Sequence, residues 1–81
     1  MNASQLFQDI EGGFVTEVET AKCHFDDQAR GVLVRQSFYV YPDDTIVSLL
    51  SSDGRNECII LGAHDAAALR SRNPSYFYAN H

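Results

Sequence analysis

Basic residues are scarce in this chain: six lysines and arginines stand against eleven aspartates and glutamates, for a formal charge of −5. Nonspecific attraction to phosphate needs clustered Lys and Arg, so direct binding to nucleic acid is disfavoured. Long-range steering by an acidic surface favours instead a protein partner that is itself basic. Cysteine is limited to Cys23 and Cys58. The N-terminal stretch has neither a basic region nor an apolar run of signal-peptide length, so free thiols in a reducing, cytoplasmic setting are expected. No apolar run approaches the ~20 residues that cross a bilayer, so no membrane role is expected. A phosphate-cradling loop is missing too, because Gly12-Gly13 lacks a following Lys-Ser/Thr and precedes a strand where such a loop precedes a helix. Internal repeats, low-complexity segments and interdomain linkers are absent.

What is present suits a single small domain over residues 1–81. Hydrophobic residues make up 44% and charged residues 21%, ordinary for a globular chain, and a domain of this size buries only roughly two-thirds of its unfolded surface. Gly31–Tyr41 is the longest run of β-branched and aromatic residues, closed by Pro42-Asp43-Asp44, and reads as a central strand. Val32, Val34, Gln36, Phe38 and Val40 fall on one face, expected to be core. Leu33, Arg35, Ser37, Tyr39 and Tyr41 fall on the other, a mixed face suited to binding or pairing.

In chain order, Ser4 is a candidate N-cap for a short helix that docks through Leu6, Phe7 and Ile10 and stops at Gly12-Gly13. Phe14–Phe25 reads as strand one, with Val15, Glu17, Glu19 and Ala21 on one face and a bulge or strand end near Ala21-Lys22. Asp26–Gly31 reads as a hairpin loop longer than two residues. Thr45–Leu50 and Glu57–Leu61 are two further strands, joined through Asp53-Gly54. Asp65 can cap a helix over Ala66–Arg72, with Ala66 and Leu69 inward and Asn73-Pro74 as its stop; Tyr76, Phe77 and Tyr78 follow as an aromatic tail. These connections are too short for parallel crossovers. The expected fold is α+β: a four-stranded antiparallel meander with a short N-terminal helix and a short C-terminal helix on one face.

Chemical motifs are thin. Cys23-His24, Cys58 and His64 lack the spacing of a zinc site, a Cys-His nucleophile would need an orienting group and an oxyanion site besides, and Glu17 with Glu19 reads better as a solvated strand face than as an acid-base pair. No catalytic residue, metal or cofactor is therefore expected. In size, charge and absence of catalytic motifs the chain resembles small acidic phage-encoded inhibitors, among them anti-CRISPR proteins. That resemblance rests on the overall profile rather than on any residue, and it implies a protein that covers a host complex, often by nucleic-acid mimicry. The expected function is a non-enzymatic, protein-binding inhibitor or regulator whose acidic surface engages a basic partner through Glu17, Glu19, Asp26, Asp27, Asp43 and Asp44, with Tyr39 and Tyr41 as aromatic neighbours. A homodimeric structural or small-ligand-binding subunit is the alternative, with a small enzyme ranked last. The two acidic pairs at opposite ends of the central strand are expected ~30 Å apart.

Overall fold

The alternating run around Phe38 forms the middle of the sheet, as its periodicity requires. The computed structural model describes residues 2–27, 30–52 and 54–78. In chain order the elements are α1 (Ala3–Glu11), β1 (Thr16–Asp27), β2 (Arg30–Val40), β3 (Ile46–Ser52), β4 (Arg55–Ile60), α2 (Ala63–Arg72) and α3 (Pro74–Tyr78). The four strands pair antiparallel in the order β1-β2-β3-β4, so every strand lies beside its neighbour in sequence, and the architecture is the expected α+β meander with an N-terminal helix and C-terminal helices.

The helices, however, take opposite faces rather than one. Leu69 and Ala66 of α2 pack with Phe38 and Ile46, with Val40, Leu61 and Phe77 around them. Leu6 of α1 packs with Val47 and Leu49, flanked by Ala3, Ile10, Val15, Tyr39, Tyr41 and Cys58. The cause is legible in β3. Its first four residues, Ile46 to Leu49, are all buried, three of them apolar and Ser48 accepting from the Gln36 amide at 3.1 Å, and burial without alternation marks a strand covered on both sides. The odd face of β2 is consequently covered by α1 over Tyr39 and Tyr41 instead of lying open. Phe7, expected to dock with Leu6, remains 41% exposed, since Ala3, Leu6 and Ile10 already make the i, i+3, i+7 stripe that faces the sheet.

Several boundaries shift for local reasons. Asn2, not Ser4, caps α1, its Oδ1 accepting from the Gln5 N–H at 2.8 Å. Gly62, not Asp65, is the N-cap of α2, which leaves Asp65 in the first turn where its charge complements the helix dipole. The aromatic tail forms α3, in which Pro74 stands at a first helical position that suits its fixed φ. Asp26 and Asp27 are not loop residues: they pair with Gly31 and Arg30, leaving only residues 28 and 29 between β1 and β2. The β2–β3 ladder begins only at Val34, so the far part of the β1–β2 hairpin runs beyond the rest of the sheet, and the molecule measures 48 × 27 × 19 Å. Asp53 of the expected Asp-Gly turn lies outside the described residues; Gly54 takes φ 78°.

Candidate functional site

The expected acidic strip is divided by one residue. The β1–β2 register slips between Glu17, opposite Tyr39, and Glu19, opposite Phe38, so Val18 is a bulge and the two glutamates, expected on one face, lie on opposite faces. Glu17 is exposed on the α1 side, where the Thr20 hydroxyl donates to its Oε1 at 2.6 Å and approaches the Ser37 hydroxyl at 3.1 Å. Glu19 is instead drawn beneath α2. Its Oε2 lies 3.1 Å from the Arg72 guanidinium and its Oε1 accepts from Asn73 at 3.4 Å. The Arg72 hydrogen bond holds the Glu19 carboxyl below its ordinary pKa, against a smaller opposing effect of burial. Glu19 thus serves the fold, tying the end of α2 to β1.

Of the remaining expected residues, Asp26 and Asp27 sit at the far end of β1, and their side chains lie outside the described residues. Tyr39 is half-buried, and burial, followed by the Glu17 charge, raises its pKa. Tyr41 donates its hydroxyl to Asp9 Oδ2 of α1, and burial together with that carboxylate pushes its pKa up to about 12. Asp43 and Asp44 are exposed at the opposite end of β2 from Asp26 and Asp27, as the two successive hairpins dictate. Their turn is firmly closed: the Asp44 N–H donates to the Tyr41 carbonyl at 2.9 Å, the Tyr41 N–H to the Thr45 carbonyl at 2.9 Å, and the Thr45 N–H to Asp43 Oδ1 at 3.0 Å. That last backbone bond lowers the Asp43 pKa. Asp44 adopts φ 69°, a left-handed conformation that Asp tolerates better than most residues.

This end of the sheet also holds a cleft that no single stretch of sequence announces. It encloses about 580 Å³ between the α1–β1 connection, the β2–β3 turn and α3, and is lined by Gly13, Phe14, Thr16, Val40, Tyr41, Pro42, Asp44, Tyr76 and Phe77. Among the described residues of that lining, Asp44 is the one that is charged. Phe14 is 63% and Tyr76 44% exposed, yet both are placed by their surroundings. The Phe14 N–H is bonded to the Asp9 carbonyl at 2.9 Å, and its ring lies so close to Gly12 that a Cβ there would stand 2.6 Å from it. Gly13 makes the intervening turn at φ 75°, where other residues are strained. Tyr76 meets Phe77 edge to face, with centroids 4.9 Å apart, and Arg70 rests 5.9 Å from the Phe77 centroid, which anchors the pair to α2. Among the sequence-predicted residues, the cleft brings together Tyr41, Asp44 and, in the same turn, Asp43. It adds Phe14, Tyr76 and Phe77, of which only the aromatic tail stood out in the sequence.

An aromatic cleft of this volume with a carboxylate at its lip matches the usual size of small recognition sites. Ring faces attract a Lys or Arg head group within about 6 Å, and the carboxylate can accept its hydrogen bonds. The other candidate chemistry is dispersed. Cys58 packs toward α1, His64 belongs to α2 on the other face, and burial pushes the Cys58 thiol up, away from the reactive thiolate. Among the described residues no three His, Cys, Asp or Glu side chains are grouped to hold a metal ion, and no helix is long and apolar enough to cross a membrane. No protein-family model, no curated protein and no solved structure matches this chain, so the cleft is interpreted from its geometry.

Proposed function

We propose that this protein is a non-enzymatic binding module that inhibits or regulates a protein partner by receiving a basic segment of it in the cleft between Phe14, the Pro42-Asp44 turn and Tyr76. The observation that carries this reading is the combination of exposed, positioned aromatic rings with a lining whose one charge, among the described residues, is negative. Asp43 and Asp44 steer the partner at long range, and the rings, desolvated once it docks, hold it. The chain's net charge of −5 supports the finer reading that the partner is a nucleic-acid-binding complex, engaged as the profile resemblance to anti-CRISPR inhibitors implies.

The test is capture from host lysate at rising salt, followed by mass spectrometry of what is retained and a comparison with Phe14→Ala/Tyr76→Ala. A specific basic partner, lost above physiological ionic strength and lost in the aromatic variant, is the expected result. Salt-indifferent capture, or capture unchanged by the folded aromatic variant, would overturn the reading.

A further inference from the structure

A meander leaves two free edges, and here they differ. The β1 edge carries the Val18 bulge with exposed Glu17 beside it, both devices that discourage strand addition. The β4 edge carries no bulge: its six residues pair with β3 in unbroken register. All but Cys58 are exposed, including Ile59 at 46% and Ile60 at 52%. The Leu61 N–H bonds to the Ile46 carbonyl at 2.9 Å, which fixes the phase of the ladder. Odd-numbered residues of β4 turn their backbone groups toward β3, and Asn56, Cys58 and Ile60 turn theirs outward.

We propose that this outer edge of β4 pairs antiparallel with the β4 edge of a second copy, joining two sheets into one of eight strands. A second copy fits because β4 is self-complementary about a two-fold axis. With the axis at Cys58, Asn56 faces Ile60 of the other copy, Glu57 faces Ile59, and Cys58 faces Cys58, so every outward backbone group finds a partner and each residue keeps its own face. Moving the axis to Glu57 sets two carboxylates directly opposite, which is destabilising. Moving it to Asn56 runs the pairing into the turn at Gly54, and moving it to Ile59 runs it into the start of α2. Charge also favours this edge, because Arg55 and Glu57 cancel within β4, whereas joining β1 edges would gather acidic residues. The edge is separate from the cleft, which lies on the β1 side of the sheet, so the proposal stands or falls apart from the function above.

Sedimentation across micromolar concentrations should give a species twice the 9.0 kDa chain mass. In a Cys23→Ser background, mild oxidation should link Cys58 to Cys58 of the second copy, since directly opposed, hydrogen-bonded residues stand about 5.5 Å apart at Cα, within disulfide reach. Ile60→Lys and, separately, Ile59→Lys should weaken dimerisation by at least about tenfold while leaving circular dichroism unchanged, and melting too when it is measured at concentrations where the parent is monomeric. A chain that stays monomeric throughout, that pairs only with an added foreign strand, that dimerises without the Cys58 link, or whose dimer survives both lysine variants overturns the proposal.

Discussion

Replacing Tyr41 with phenylalanine deletes one oxygen and, with it, the side-chain bond from β2 to Asp9 of α1. A hydrogen bond to a charged acceptor contributes about 1.5–3 kcal/mol when well shielded. Tyr41 is only half-buried and Asp9 also accepts from Gln5 at 3.1 Å, so a loss of about 1–2 kcal/mol is expected, which for a domain of this size lowers Tm by about 4–8 °C per kcal/mol. The pH dependence makes the prediction specific. The folded Tyr41 pKa of about 12 lies above its ordinary value of 10.0, so the native state holds this proton more tightly than the unfolded one. Its contribution is full below pH 10 and is lost as pH rises toward 12. The parent's advantage over Tyr41→Phe should therefore shrink across that window. Tyr39 and Cys58, whose pKa values are also raised, remain in both proteins and largely cancel in the comparison. Urea unfolding followed by circular dichroism, run as a double-mutant cycle with Asp9→Ala, measures both effects. A coupling energy below about 0.3 kcal/mol, or a parent-variant difference that does not change between pH 10 and 12, would refute the assignment of this bond as the tie between α1 and the sheet.

Asp43→Asn with Asp44→Asn keeps the acceptor for Thr45 and a residue that tolerates the left-handed φ, so it removes charge without opening the turn. Surface plasmon resonance on the captured partner should show association slowed several-fold at low salt and little changed at high salt. Phe14→Ala or Tyr76→Ala should speed dissociation by an amount on the order of 2 kcal/mol, and Gly12→Ala, by displacing the Phe14 ring, should reproduce part of the Phe14→Ala effect. Glu19→Gln should cost about 0.5 kcal/mol near neutral pH, as expected of a partly exposed pair. The lowered Glu19 pKa stabilises the fold above its ordinary value of 4.5 and is lost as pH falls through the folded value, so acid titration monitored by thermal melting should show a shallower acid limb in this variant.

The strands were legible because their signal is local: alternation marks β2, and Pro42-Asp43-Asp44 closes it. The Val18 bulge was not, since Thr16, Val18 and Thr20 alternate smoothly with Glu17 and Glu19 in the sequence and only the partner strand reveals the extra residue. Displaced Cys23 and Phe25 were the available clue, and the bulge resolves it by placing them opposite Val34 and Val32. The two-sided burial of β3 was only partly signalled, since Ile46, Val47, Leu49 and Leu50 are apolar but Ser48, buried among them, interrupts the run. α3 spans five residues, too few to display a helical period. The cleft draws on segments 13–16, 40–44 and 76–77, whose proximity is a property of the meander's ends and not of any one segment.

The neighbour-to-neighbour strand order also sets a sequence of events in time. Each hairpin closes over a short stretch of chain, so the sheet can grow outward from its turns at little loop-closure cost. α1 is different, because Leu6 must find Val47 and Leu49, contacts that have no site to occupy until β3 is in place. Packing that forms after the rate-limiting step leaves refolding almost untouched and appears instead in how quickly the native state opens. Loosening α1, through Leu6 or through the Asp9–Tyr41 bond, should therefore shorten the lifetime of the folded protein while its refolding rate stays near that of the parent.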